Sequence, residues 1–316
     1  MADVPADDMQ LRRILQRAAD RFYANLNTAL PRTAPLIAAR LKRVPAGPRT
    51  VEVCLATQSF PAFSMPWWIT PAEARGTDLQ FLEDLCYSTL NGYYFVRLID
   101  NVQDGDGPAD LRQLLPAGGY FHAEFQSPYQ RWFPAGHPFW NDFRAAWNEQ
   151  AEAAAVEPEL DEIDLAAFQS VSARKFGAAK GPLAAAAYRY GREEHLQAWF
   201  FFVDRLGALS QLANDLFDWH HDSLAGINTY IQSEYRRRRA GSDETIHRWI
   251  VREGFDLGAT QIRDWHKELL GIAQVLRAPE ATLWLERRGA LLEREIASAR
   301  AALTALRELA EAMRGA

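Results

Sequence analysis

Residues 201–222, FFVDRLGALSQLANDLFDWHHD, decide how the chain is read. The segment is strongly apolar and then turns acidic. Asn214, Asp218 and Asp222 fall at i, i+4 and i+8, which puts three oxygen-bearing side chains on one helical stripe with Asp215 beside it. Acids at this spacing also occur on ordinary solvated faces, so one stripe does not make a site. Here the stripe closes an apolar helix, and that placement predicts the mouth of a cavity.

A second acidic stretch lies far upstream, YYFVRLIDNVQDGDG at 93–107. In a helix over 84–104, Asp100 and Asp104 share a face one turn apart, with Arg97 and Tyr93 on the turns before them. Like charges at that spacing destabilise a helix by a few tenths of a kcal/mol, roughly, in water, and by more when buried. A divalent cation held by the carboxylates removes the repulsion. Magnesium suits hard oxygen ligands that waters and a substrate phosphate complete. Two such clusters, each ending an apolar helix, argue for a metal site far better than either alone.

The rest of the sequence is helical in pattern. Apolar residues recur at three and four in DDMQLRRILQRAADRFYANLNTAL and again over about 71–103, 138–155, 160–191, 193–222, 242–253, 257–276 and 279–312. RVPAGPR, DGDGPAD, LPAGGY, FPAGHP, VEPEL, AGSD and RAPEA punctuate the gaps. Strand signals are few, TVEVCL at 50–55 being an isolated β-branched run. No long linker or fixed-period repeat divides the chain. The expectation is one all-α domain over residues 1–316. KFGAAKGPLAAAAYRYG, made mostly of small residues, predicts a helix packed closely on its neighbours or lining a cavity.

Composition narrows the function. Of 316 residues 48% are hydrophobic, enough for a large core, and the formal charge of −6 gives no basic field for nucleic acid. Arg236 to Arg239 is the one dense basic run, expected at a solvated helix end or loop. Two cysteines, Cys54 and Cys86, are too few for a disulfide framework or a four-thiolate metal site. MADVPADDMQL lacks the basic and apolar regions of a signal peptide, and no uncharged run is long enough for a membrane span. A cytoplasmic protein is expected. His220 and His221 project about 100° apart on a helix and cannot face one ion, so a surface or supporting role is expected for them. There is no HExxH, GxSxG, P-loop or GxGxxG in a βαβ context.

The acidic motifs resemble those of the all-α class I isoprenoid synthase superfamily, which holds trans-prenyltransferases, squalene and phytoene synthases and class I terpene cyclases. LIDNVQD looks like the aspartate-rich motif DDxxD, with Asn101 at the second Asp. NDLFDWHHD fits the cyclase motif NDxxSxxxE in spacing, with Asp218 for Ser and Asp222 for Glu. SQLANDLFD is similar to the prenyltransferase FQxxDDxxD, and YYFVRLIDNVQD resembles the squalene synthase stretch FYLVLRALDTxED, including Arg97. SARKFGAAKGPLAAAAYRYG looks like the helix carrying a diphosphate contact, where Arg174 or Lys175 would stand. GINTYIQSEYRRRR is similar to the segment after the second cyclase motif, with Asn228 on its Asn. The resemblance covers roughly residues 75–240.

This resemblance implies a single-domain class I terpenoid synthase-like helical bundle around a central apolar cavity, with Mg2+ as cofactor. It implies Asp100, Asp104, Asn214, Asp218 and Asp222 as metal-binding catalytic residues and Arg97, Arg174 and Lys175 as diphosphate contacts. The Arg pair and the GGKR-like stretch by which chain-elongating enzymes clamp a second diphosphate are missing. A terpene cyclase acting on one C15 or C20 prenyl diphosphate is therefore favoured. A squalene or phytoene synthase-like coupling enzyme is the alternative, supported by Arg97, and a non-catalytic binding module is the third reading. The partner is a small prenyl diphosphate, with no nucleic acid and no membrane span; many relatives dimerise, which leaves a homodimer open.

Overall fold

Leu11, Ile14, Leu15, Ala18, Ala19, Phe22 and Leu26 are buried along the first helix, the single apolar stripe that a helix with one core face requires. The same rule shapes the whole chain. The structure, a computed structural model, describes residues 6–40, 50–103 and 114–315. Among these residues there are helices and no strand. In order they are α1 (Ala6–Ala29), α2 (Ala34–Arg40), α3 (Thr50–Cys54), α4 (Ser64–Ile69), α5 (Ala72–Arg75), α6 (Leu79–Gln103), α7 (Ala117–Trp132) and α8 (Phe139–Val156). There follow α9 (Leu165–Lys175), α10 (Lys180–Arg189), α11 (Leu196–Phe217), α12 (Trp219–Ala225), α13 (Tyr230–Arg238), α14 (Ile246–Trp249), α15 (Phe255–Val275) and α16 (Pro279–Gly315). No described helix is long and apolar enough to cross a membrane.

The chain divides into two compact units, Met1–Ala145 with Ala178–Leu196, and Ala146–Gly177 with Gln197–Ala316. In the first unit α6 packs against α1 and α7. Phe22, Tyr94 and Phe121, one from each helix, stack with centroids 4.8 to 6.1 Å apart. Gly92 lets α7 approach, because a Cβ there would lie 2.8 Å from the Phe125 ring. Beside this apolar seam Asp84, 1% exposed, receives Arg21 Nη1 at 2.6 Å, Arg131 Nη1 at 2.8 Å, Trp132 Nε1 at 3.0 Å and Gln80 Nε2 at 3.3 Å. A carboxylate this deep is tolerable only with such donors, and they tie α1 and α7 to α6.

In the second unit Phe168 of α9 lies against Tyr230 and Trp265, with centroids at 5.2 and 6.1 Å. Gly258 of α15 sits where a Cβ would meet Leu216 of α11 at 2.7 Å. A π-helical turn, Ile250–Gly254, joins α14 to α15.

Two segments depart from the periodicity reading. TVEVC, which looks strand-like, is the short helix α3, since all of its neighbours are helical and Val51 and Cys54 both find the core. The expected continuous helix over 160–191 is instead two helices separated at Phe176 by a 3₁₀ turn, Gly177–Ala179. Gly177 packs so tightly that a Cβ would come within 2.3 Å of the Ala146 carbonyl. The helix α7 lies in a stretch with no clear period, headed by LPAGGY and holding Pro128 within it.

Replacing Asp84 with Ala leaves the indole and guanidinium donors without their acceptor. The expected loss is about 2–4 kcal/mol, read as a lower urea midpoint.

Candidate functional site

The two acidic stretches fall in different units, and each is built in its own way. In the first unit, α6 carries Asp100 and Asn101 in its last described turn. Both are half-buried. Arg97, one turn earlier, donates from Nη1 to Asp100 Oδ2 at 2.5 Å and from Nη2 to Asn101 Oδ1 at 2.6 Å. The guanidinium thus bridges two neighbouring oxygen donors of the motif. Asp104 lies outside the described residues. Tyr94 belongs to the core, and Phe95 is half-buried against His122, with ring centroids 5.3 Å apart.

In the second unit the stripe keeps its register by an unexpected route. The helix expected over 193–222 is broken at Asp218, where α11 ends and α12 begins with Asp218 at φ −96°, ψ 5°. The backbone ladder nonetheless continues across the break, Asp218 N–H to Asn214 C=O at 2.8 Å and Asp222 N–H to Asp218 C=O at 3.0 Å. Asn214 and Asp218 are exposed, Asp222 is half-buried, and the Asp218 carboxylate makes no capping bond although it stands at the head of α12. Among the described residues no Lys or Arg pairs with any of the three.

Their environment raises acid pKa values. Burial pushes the Asp222 carboxyl above its ordinary range, with Asp218 adding to the shift and His221, its Nδ1 at 3.4 Å, opposing it. Asp215 points inward, is 5% exposed and takes Gln211 Nε2 at 2.8 Å. It is pushed up to about 7, first by burial and then by Asp222 and Glu157, against the opposing pull of Gln211 and Lys175. A carboxyl whose ionisation burial disfavours, as at Asp222, is one that an added cation stabilises.

The expected diphosphate contacts differ in availability. Lys175 ends α9 and gives Nζ to Glu157 Oε2 at 2.5 Å. Arg174 is exposed and makes no ion pair or hydrogen bond among the described residues. Glu157 carries no local signal in VEPEL and is missed by sequence reasoning. Gln211 is missed as well, although its place four residues before Asp215 is a helical hydrogen-bonding spacing.

Asn228 serves the fold rather than a ligand. Its Nδ2 donates to the Leu160 carbonyl at 2.5 Å and the Asp161 carbonyl at 3.2 Å, while its Oδ1 accepts from Ser233 and Arg236. The basic run does close a helix, α13, but each arginine is engaged: Arg236 on Asp161 C=O, Arg237 on Ile163 C=O and Glu234, Arg238 on Glu234, Arg239 on Glu244 and Glu253. His220 is exposed and meets Trp219 and His247 edge-on at 5.4 Å each. His220 and His221 both lie at the surface.

Among the described residues no three His, Cys, Asp or Glu side chains could hold a metal ion by themselves. The donors present are nevertheless of the right chemistry for magnesium. Carboxylate and amide oxygens at accessible positions, with the shell left open to water and substrate oxygens, are how this ion is usually bound.

The sequence matches no protein-family model and no curated protein. Solved structures do match in fold. A geranylgeranyl pyrophosphate synthetase from the archaeon Geoglobus acetivorans aligns at TM-score 0.65 with 17% identity, over 90% of this chain and 98% of that one. A polyprenyl synthase from Caulobacter crescentus CB15, complexed with calcium and isoprenyl diphosphate, aligns at TM-score 0.57 with 15% identity, over 87% and 97% of the two chains.

Asn228→Ala frees the 157–164 segment and leaves Arg236 short of an acceptor. It should lower stability by about 1–3 kcal/mol and speed amide hydrogen exchange across residues 157–164 ahead of the rest of the second unit.

Proposed function

We propose that this chain, which has the all-α fold of the class I isoprenoid synthases, is a magnesium-dependent terpene synthase that ionises one linear C15 or C20 prenyl diphosphate and releases diphosphate. Residues 1–316 are read as one synthase domain. The observation that carries the reading is the Asn214, Asp218, Asp222 stripe, in register across a helix break and matched by no Lys or Arg among the described residues. Asp100, with Asp104 from the resemblance, forms the other metal-binding motif.

These oxygens would hold magnesium, which would supply neutralisation of the charge that develops on the leaving diphosphate. The chain's own part is electrostatic and steric. Arg174, exposed and unpaired, meets the incoming diphosphate with a bidentate fork. Arg97 and Lys175 add donors once their carboxylate partners let them go. The ionised prenyl chain is an allylic carbocation, which must be kept from water. Aromatic faces attract such a cation by up to about 2 kcal/mol each when desolvated, and Phe217, half-buried and next to Asp218 in the chain, is a candidate for this role.

A second reading, coupling or transfer of prenyl groups as in squalene and phytoene synthases, has one specific support. Arg97 sits on the aspartate motif as in the stretch VRLID.

Purified protein incubated with magnesium and geranyl, farnesyl or geranylgeranyl diphosphate, singly and in pairs, separates the readings by product. A cyclic hydrocarbon or alcohol from one substrate is the expected outcome, and a product with doubled carbon number would establish coupling instead. Diphosphate release from none of them would reject both. Asp100→Ala and Asp222→Ala should each lower kcat/KM by roughly 10²-fold or more while circular dichroism stays unchanged. Arg174→Ala should act mainly on KM, by several-fold, roughly.

A further inference from the structure

The placement of Arg97 asks for more than a surface ion pair. Asp100 lies in the last turns of a 25-residue helix whose final turn holds no basic residue. Arg97 is the cation that meets this acid, and it does so with a fork: Nη1 on Asp100 Oδ2 at 2.5 Å and Nη2 on Asn101 Oδ1 at 2.6 Å. Side-chain exposure of 22% for Arg97 and 33% for Asp100 keeps the pair partly out of water. Asp100 is an acid that the proposed function assigns to the first metal motif, and Asn101 is its neighbour in the chain.

We infer that Arg97 is an exchangeable internal counter-ion of this motif. It holds Asp100 and Asn101 in the resting protein and passes to the diphosphate when a divalent cation takes the Asp100 carboxylate. The inference rests on the proposed function and adds an order of events to it. A guanidinium at 2.5 Å from Asp100 Oδ2 and a dication on the same carboxylate repel each other, so the two compete for its charge. A dication that displaces Arg97 leaves a half-buried guanidinium without an anion, which is unfavourable until a polyanion arrives. A polyanion that arrives first finds the fork already used. Metal and diphosphate therefore strengthen each other's binding at the first motif, and the coupling is reciprocal.

The test measures Mn2+ binding to the full chain by electron paramagnetic resonance, with and without inorganic diphosphate, in wild type, Asp100→Asn, Arg97→Gln and Arg97→Lys. Asp100→Asn identifies the site by removing it. In Arg97→Gln that same site should bind Mn2+ about threefold to tenfold more tightly without diphosphate, and the tightening caused by diphosphate should shrink by a similar factor. Arg97→Lys, which keeps the charge but cannot span two acceptors, should fall between the two and serves alone should the glutamine variant not fold. Wild-type affinity and wild-type coupling in Arg97→Gln, or in Arg97→Lys, would overturn the exchange while leaving the metal assignment standing. Should Asp100→Asn remove no Mn2+ site, the metal assignment falls and the exchange with it.

Discussion

A carboxylate carried into an apolar helical protein must be given a cation, a set of donors or a proton, because burial otherwise penalises its charge. This chain uses all three answers. Asp84 receives two arginines, an indole and an amide, and so becomes a joint between α1, α6 and α7. Asp215 receives one amide and is pushed up to about 7 by burial. Asp100 receives a single arginine from its own helix. Asn214, Asp218 and Asp222 receive no arginine or lysine among the described residues, and they run from the last turn of α11 into α12, Asn214 and Asp218 exposed and Asp222 half-buried. The gradient from fully compensated to uncompensated acid separates the residues that hold the fold from those available to a ligand.

That separation was only partly visible in the sequence. Helix class and most long elements followed from spacing alone, because α1, α6, α11, α15 and α16 each present a regular apolar face. The break at Asp218 was not visible, since NDLFDWHHD contains neither Gly nor Pro and nothing in its pattern interrupts the period. Nor was α7, whose opening LPAGGY reads as a turn. Small residues between 172 and 191 suggested one central helix, yet Gly177 is small because a carbonyl of α8 lies where its Cβ would be. Tertiary contact decided these elements, and a pattern along the chain cannot report it.

Site residues were legible where spacing itself is the signal. Asn214, Asp218 and Asp222 stay in register because the i to i+4 hydrogen bonds persist through the break. The partners were less so. Glu157 reaches Lys175 from an unrelated turn, and Asp84, in the plain stretch LEDLCYSTL, gives no hint of its four donors. Arg236 to Arg239 read as a solvated run, but their acceptors at 161–163, 234, 244 and 253 are backbone carbonyls and acids scattered over the second unit. Among the described residues Arg174 makes no ion pair or hydrogen bond.

The account stands on acids that bind a metal–diphosphate complex. Crystals grown with Mn2+ and inorganic diphosphate, and measured at the manganese absorption edge, examine it directly. Anomalous peaks about 2.1 Å from a carboxylate oxygen of Asp100 and from oxygens of the Asn214, Asp218 and Asp222 stripe are expected. Manganese bound at neither motif, with diphosphate held by arginines alone, would contradict it.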